Sequence, residues 1–136
     1  MKRNATAVWN GTGKEGTGHI STQSTVLDKT QFSYKSRFEE GVGTNPEELM
    51  AAAHAGCFTM KLSFVLGTAG FPPESIETKC DIGVDNGAIT TSHLTVKATV
   101  PGIDEAKFKA CAEEANTNCI VGKAYNLEIT MDASLA

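Results

Sequence analysis

The sequence is short of basic residues and of the cysteine and histidine spacings that hold metals. Its 136 residues carry 12 Lys and Arg against 16 Asp and Glu, a formal net charge of −4. A nucleic-acid-binding surface needs clustered positive charge, so we expect no nucleic-acid partner. The four cysteines form no Cys-x-x-Cys, and the three histidines lie far apart. No zinc site is therefore predicted.

The sequence also lacks an apolar run of the length that a membrane requires. The longest weakly charged stretch runs from Leu49 to Met60 and stops at Lys61, short of the roughly 20 residues that span a bilayer. The N-terminus has a charged start, with no apolar stretch of signal-peptide length behind it. We expect a cytoplasmic protein with no membrane partner, whose cysteines are reduced, catalytic or buried.

Hydrophobic periodicity predicts one α+β domain over residues 1–136, with the element order β-β-β-α-β-β-α-β. A glycine-rich stretch, residues 11–18, formally matches the G-x-G-x-x-G of dinucleotide sites. That motif has to open a helix, whereas Ser, Thr and β-branched residues follow it here. We interpret the stretch as a hairpin loop. The predicted strands are residues 4–10, 19–27 and 31–38, the run from Ile76 to Val84 before an Asp-Asn-Gly turn, the run from Leu94 to Val100, and a last strand with Leu127, Ile129 and Met131 on one face.

Two helices are predicted from their start signals and their spacing. Asn45 is a good N-cap, Pro46 suits the first helical position, and Glu48 can return a capping-box hydrogen bond. This helix is expected to run to about Leu66 and to end at Gly67. The second follows Pro101 and Gly102 and ends at residues 116–118. Its apolar stripe consists of Phe108, Cys111, Ala112 and Ala115.

The first helix is apolar on nearly every side around Cys57. Such a helix must be covered all round, and a single chain with two helices and one sheet has little material to do so. We therefore predict a homodimer that buries this helix between subunits. Cys80 and Cys111 lie on apolar faces of their elements, and both are interpreted as core residues.

Cys57 needs a nearby cation if it is to act as a nucleophile, because apolar surroundings disfavour the thiolate. His54 and Lys61 share its helical stripe, and Arg37 immediately precedes the loop that leads to the helix. Each has a simpler interpretation: a hydrogen-bonded core histidine, a lysine extending to solvent, and an exposed strand arginine.

Glu47 and Cys119 are the remaining candidates. Glu47 precedes Cys57 by ten residues, about 15 Å of helix rise, so one helix cannot bring the two side chains together. Antiparallel copies of the helix across a two-fold axis could do so, although Glu47 also suits the helix dipole by itself. Cys119 follows Asn118, a plausible N-cap, so its thiol could lie in a helix first turn that favours thiolate. The alternative is a simple connector cysteine.

Three segments together give a family resemblance. They are Arg37-Phe38-Glu39, the Gly-Thr-Asn-Pro-Glu-Glu-Leu of residues 43–49, and the Ala-Ala-His-Ala-Gly-Cys-Phe of residues 52–58. They closely resemble the osmotically inducible OsmC branch of the OsmC/Ohr hydroperoxide reductases, and the similarity extends over nearly the whole chain.

The resemblance implies an OsmC-like intertwined homodimer, with strands packed around two central helices. It also implies a cysteine peroxidase that needs no metal, haem or other cofactor. By position, Cys57 looks like the peroxidatic cysteine and Cys119 like the resolving cysteine, with Arg37 and Glu47 as a bidentate pair that activates Cys57. The implied substrates are organic hydroperoxides and hydrogen peroxide, and an external dithiol of the lipoyl or thioredoxin type would reduce the disulfide.

Two features leave alternatives open. The family commonly has Cys-Pro-x-Ser at the resolving cysteine, whereas this chain has Cys119-Ile120-Val121-Gly122. Gly56 and Ile120 beside the two cysteines also leave room for an alternative function, a non-catalytic small-ligand-binding or stress-associated structural protein of the same fold. A cysteine acyl-transfer enzyme with His54 as base is a third, for which no orienting third residue is identifiable. Three residues are candidates for an apolar substrate entrance, although core packing explains them equally well: Met50, Phe58 and Met60.

Overall fold

The computed structural model describes residues 1–136, which form six strands and four helices. The chain divides into two compact units, Met1–Leu49 and Met50–Ala136. The mixed helix and sheet content confirms the α+β class. In chain order the elements are β1 (Ala5–Asn10), β2 (Thr17–Thr22), β3 (Thr30–Phe32), α1 (Tyr34–Phe38), α2 (Pro46–Thr68), β4 (Ser75–Asp85), β5 (Ala88–Thr99), α3 (Glu105–Thr117), α4 (Ile120–Ala124) and β6 (Glu128–Leu135).

The first unit contains an antiparallel sheet in the order β1-β2-β3. β1 and β2 form a hairpin that closes with Asn10 opposite Thr17, so the glycine-rich stretch is a hairpin loop, as predicted. The second predicted strand ends at Thr22 and does not reach residue 27. The Thr22 backbone N–H donates to the Leu27 carbonyl at 2.9 Å, and the Thr22 hydroxyl accepts the Leu27 N–H at 3.1 Å. These bonds close a turn and stop the strand.

The predicted strand over residues 31–38 is wrong: β3 ends at Phe32, and the short helix α1 follows. Ser33 caps this helix, because its hydroxyl accepts the Ser36 N–H at 3.1 Å and its own N–H donates to the Ser36 hydroxyl at 2.8 Å. A reciprocal capping box therefore outweighs the polar and apolar alternation of the segment. Arg37 consequently lies in the last turn of a helix and not on a strand.

Helix α2 begins where the sequence predicts. The side-chain oxygen of Asn45 accepts the Glu48 N–H at 2.8 Å. The Glu48 carboxylate accepts a hydrogen bond from the Thr44 hydroxyl at 2.7 Å, and so the return bond of the capping box comes from that hydroxyl and not from the Asn45 amide. The helix ends at Thr68, two residues beyond the predicted end at Leu66.

The second unit contains a sheet in the order β4-β5-β6. β4 and β5 form the predicted hairpin, whose turn residues Asn86 and Gly87 have φ angles of 50° and 74°, as Asn-Gly hairpin turns require. β6 runs parallel to β5 after a crossover through α3 and α4. α4 is absent from the predicted element order. The inward face of β5 is buried from Ser92 to Ala98, with Leu94 and Val96 between them.

The core of the second unit packs α2 and α3 against this sheet. Phe58, Leu62 and Leu66 of α2 are fully buried in it. Cys111 is buried in the same cluster, which confirms its predicted core position, and Cys80 is half-buried against it. The α3 members of the core form the predicted stripe of Phe108, Cys111, Ala112 and Ala115.

One face of α2 stays uncovered in the single chain. Met60 and Phe64 on this face are 65% and 67% exposed. By length and composition alone, α2 could also cross a membrane, so the expectation that no segment is long enough is wrong on that count. The core helix of a soluble protein meets the same criteria, and α2 buries His54 and Phe58 in the core of its unit.

Candidate active site

Cys57 and Cys119 are brought to the same turn of the chain at the start of α4. The Val121 N–H donates to the Cys57 sulfur at 3.5 Å, and the Gly122 N–H donates to the Cys119 sulfur at 3.4 Å. Two consecutive backbone amides therefore contact the two predicted redox thiols. A helix first turn offers such amides because they have no carbonyl partner within the helix.

Cys119 is itself the N-cap of α4, and not a first-turn residue behind an Asn118 cap. Asn118 instead ends α3, where its side-chain amide donates to the Glu114 carbonyl at 2.9 Å. Burial raises the pKa of the Cys119 thiol, the Gly122 amide opposes this rise, and the neighbouring Cys57 thiol adds to it. Cys119 is therefore a buried, protonated thiol at neutral pH.

A cavity of about 270 Å³ opens at Cys57. Met60, Phe64 and Ile120 form an exposed apolar rim, and Lys61 also lines the cavity. Met60 therefore does line the approach to Cys57. Phe58, the second residue considered for an entrance, is fully buried in the core instead. Such a site can take a small ligand with an apolar body.

Arg37 and Glu47 form an ion pair within the first unit. Nε of Arg37 donates to Oε1 of Glu47 at 2.8 Å. The contact uses one nitrogen and one oxygen, whereas the resemblance implies a bidentate pair. Oε2 of Glu47 is buried without a partner. The Arg37 side chain is 44% exposed and the Glu47 side chain 14%, so the carboxylate is held while the guanidinium keeps donors free for an anion.

Aromatic side chains surround Arg37. The guanidinium carbon lies 5.0 Å from the centre of the Phe38 ring, in the range of a cation–π contact. A cavity of about 200 Å³ in the first unit is lined by Arg37 together with Trp9, Phe32, Tyr34 and Phe38. The Phe38 ring and the Glu47 carboxylate therefore limit the orientations of the guanidinium.

His54 lies behind the thiol pair as a fully buried residue. Its Nδ1 shares a 2.6 Å hydrogen bond with the Ser92 hydroxyl, which in turn lies 3.2 Å from the Cys80 sulfur. The interpretation of His54 as a hydrogen-bonded core histidine is thus confirmed. Burial lowers its pKa from the ordinary value of 6.5. The ring is therefore neutral at neutral pH and supplies no cation to Cys57.

Sequence reasoning missed Ser92 and Tyr125. Ser92 lies in phase with the alternating apolar run Leu94 to Val100, so period-two spacing alone was sufficient to place it on the inward face. Tyr125 donates its hydroxyl to the Met50 carbonyl at 2.8 Å and packs its ring edge-on against His54. Burial raises its pKa, and the surrounding thiols of Cys80, Cys119 and Cys57 raise it further. This contact joins distant parts of the sequence, and no local signal indicates it.

The four predicted site residues thus form two pairs, Arg37 with Glu47 and Cys57 with Cys119. The second pair can carry thiol–disulfide chemistry, because a buried thiol lies beside a partly exposed one. The first pair can stabilise a developing negative charge. No group of three His, Cys, Asp or Glu side chains is arranged to hold a metal ion.

Comparisons with known proteins agree with these features. A family model described as OsmC-like protein matches residues 39–134. Peroxiredoxin OsmC of Escherichia coli (strain K12) is 44% identical over 133 residues, which cover 95% of this chain and 93% of the relative. An organic hydroperoxide resistance protein of Xanthomonas axonopodis pv. citri is 32% identical over 96 residues, 67% of each chain. The crystal structure of an OsmC-like protein from Mycoplasma pneumoniae has a TM-score of 0.79 at 12% identity, covering 100% of this chain and 98% of that one.

Proposed function

The chain belongs to the OsmC-like protein family and is a thiol-dependent peroxidase that detoxifies hydroperoxides, and we propose that its mechanism proceeds through a sulfenic acid at Cys57. The OsmC-like fold expected from the resemblance is confirmed. The observation that carries the mechanism is the turn at Val121 and Gly122, whose amides contact the sulfur atoms of Cys57 and Cys119.

The reaction has two covalent steps. The Cys57 thiolate attacks the distal oxygen of the hydroperoxide, the O–O bond breaks, and an alcohol or water leaves. The sulfenic acid on Cys57 then condenses with the Cys119 thiol to give a disulfide and water. An external dithiol of the lipoyl or thioredoxin type reduces this disulfide by exchange.

Arg37 and Glu47 supply the charge that the reaction needs. The Arg37 guanidinium favours the thiolate of Cys57 and stabilises the charge that develops on the peroxide oxygens. Glu47 is the positioning residue, because its 2.8 Å bond to Nε fixes one edge of the guanidinium. No cofactor takes part in these steps.

We further propose that the protein is an intertwined homodimer in which residues 1–136 form one OsmC-like domain. The support is the uncovered face of α2, where Met60 and Phe64 are largely exposed in the single chain. Two-fold interfaces are self-complementary, so one subunit can supply Glu47 and Arg37 to the thiols of the other. The proposed location is the cytoplasm.

The apolar rim of the Cys57 cavity favours organic hydroperoxides over hydrogen peroxide as substrates. Met60, Phe64 and Ile120 offer an alkyl or aryl group a surface to pack on. Steady-state rates with cumene hydroperoxide and hydrogen peroxide, each with lipoyl and thioredoxin-type reductants, compare the substrates and reductants directly. Equal kcat/KM values for the two peroxides would show that the rim does not determine peroxide specificity.

The mechanism is tested by exchanging single thiols. Cys57→Ser is expected to abolish peroxide consumption, while Cys111→Ser, a buried core thiol of the same unit, is the matched control and retains turnover. Cys119→Ser is expected to form a trappable sulfenic acid at Cys57 for one turnover. Wild-type turnover by Cys57→Ser would overturn the proposed mechanism. Absence of a Cys57–Cys119 disulfide in the wild-type protein under excess peroxide would instead favour the non-catalytic alternative.

A further inference from the structure

One ring nitrogen of His54, Nε2, takes no part in the proposed mechanism. Nε2 is buried and has no hydrogen-bond partner. A Cβ atom built on Gly122 would lie 3.2 Å from this nitrogen and 3.6 Å from the Cys119 sulfur. The missing side chain of Gly122 is therefore the gap that separates the imidazole from the second redox thiol.

The surroundings of the two ring nitrogens indicate which of them carries the proton. Nδ1 lies 2.6 Å from the Ser92 hydroxyl, and that hydroxyl has the Cys80 sulfur at 3.2 Å as a further partner. If Nδ1 carries the proton, Nε2 presents a lone pair. The other tautomer would bury an unpartnered N–H, which proteins avoid more strictly than an unpartnered acceptor. The favoured tautomer thus makes Nε2 a base that faces Gly122.

We propose that Nε2 of His54 accepts the thiol proton of Cys119, across the gap at Gly122, during disulfide formation. This proposal rests on the proposed function, since it concerns the second step of that cycle. Cys119 is fully buried, and its thiol must give up a proton for the sulfur to attack. Contacts of this kind tighten, or act through one water, when the reacting state forms.

The step balances without any additional reactant. Nε2 takes the proton from the Cys119 thiol as its sulfur attacks the Cys57 sulfur. The S–O bond of the sulfenic acid breaks and its oxygen leaves as hydroxide, which takes the proton from the imidazolium. The products are the Cys57–Cys119 disulfide, one water and neutral His54. Burial favours both starting forms, since it raises the pKa of Cys119 and lowers that of His54.

The two steps can be timed separately in a single turnover with one equivalent of peroxide. Dimedone trapping reports the sulfenic acid at Cys57, and peptide mapping reports the disulfide. His54→Gln keeps a polar side chain for Ser92 but lacks a base, and it is expected to slow disulfide formation about 10²-fold to 10³-fold. Sulfenic acid formation is expected to change by less than about twofold, because His54 transfers no proton in that step.

The control is His93→Gln. His93 lies on the same strand as Ser92, and its side chain pairs with Asp132. It is expected to leave both steps unchanged. Gly122→Ala provides a second variant that keeps His54 and fills the gap, and it too is expected to slow only disulfide formation. Wild-type disulfide formation by His54→Gln, or an equal slowing of both steps, would overturn the proposal.

The pH dependence of the wild-type protein needs no variant. The groups that face His54 are Ser92 and Cys80 from the β4 and β5 hairpin, and Tyr125 and Cys119 from the segment around α4. With His54 as base, disulfide formation is expected to be flat between about pH 7 and pH 8; a thiol with no base gives a rise of about tenfold per pH unit. That rise would overturn the proposal. A failure to form sulfenic acid at Cys57 would instead overturn the proposed function.

Discussion

The two pairs of site residues are held in opposite ways. Arg37 and Glu47 meet through charged side chains in the first unit, and the guanidinium is 44% exposed. Cys57 and Cys119 meet through backbone amides in the second unit, where Cys119 has no exposed surface. An ion pair between side chains therefore holds Arg37 and Glu47 together, whereas main-chain amides position Cys57 and Cys119.

The difference shows what each pair can contribute. A thiol buried among apolar groups stays protonated unless a cation or a base is supplied. An exposed arginine binds anions but has no nucleophile of its own. A peroxide-reducing centre needs both contributions, and variants that remove one of them at a time test each separately.

Arg37→Met should have the largest effect on the first pair. In the proposed mechanism the guanidinium supplies the charge that stabilises the thiolate and the peroxide oxygens, so we expect its loss to lower kcat/KM for peroxide about 10²-fold to 10³-fold. Alkylation of Cys57 by iodoacetamide at neutral pH should also become slower. Lys35→Met, which removes an exposed cation from the same helix, is the matched control. An unchanged alkylation profile in Arg37→Met would remove the arginine from the mechanism.

Glu47→Gln should have a smaller effect, because it keeps a hydrogen-bond acceptor for Arg37 and removes only the charge. A hydrogen bond to a charged group is worth about 1 to 1.5 kcal/mol more than one to a neutral group, so kcat/KM should fall about tenfold. Glu48→Gln serves as the control, since that side chain only accepts from the Thr44 hydroxyl. A loss as large as that of Arg37→Met would mean that Glu47 does more than position the guanidinium.

The burial of the second region predicts a pH-dependent stability. His54 has an ordinary pKa of 6.5, which burial lowers in the folded protein. Just below pH 6.5 the unfolded chain therefore binds a proton that the folded chain excludes, and the free energy of unfolding should fall as pH decreases toward the folded pKa. Urea unfolding at about pH 7 and pH 5 measures this decrease. His54→Gln should show a smaller decrease, and an identical one would contradict burial of a neutral ring.

Ile120→Pro should have the smallest effect, and it tests the turn that holds the thiols. Ile120 is the first residue of α4 and is 79% exposed, a position that suits proline. The preceding Cys119 has φ −69° and ψ 118°, which a following proline allows. We expect the free energy of unfolding to rise by about 0.4 to 1 kcal/mol, with disulfide formation retained. A loss of disulfide formation would show that the turn must rearrange during the reaction.

The sequence predicted those features whose signals are local. Asn45 and Pro46 mark the start of α2, and Asn86 with Gly87 marks the hairpin, because caps and turns depend on neighbouring residues only. The strand prediction at residues 31–38 failed because the serine capping box competed with an alternating pattern. The thiol pair was expected only from the family resemblance. Tyr125 was missed because tertiary packing alone brings it to His54. Ser92 was missed although its period-two spacing places it on the inward face of β5.

Peptide mapping after one equivalent of peroxide, without reductant, tests the central claim most directly. We predict a disulfide between Cys57 and Cys119 in the majority of chains, with Cys80 and Cys111 remaining as free thiols. Peroxide consumption without that disulfide, or a disulfide that involves Cys80 or Cys111 instead, would contradict the claim that the turn at Val121 and Gly122 joins the two reacting thiols.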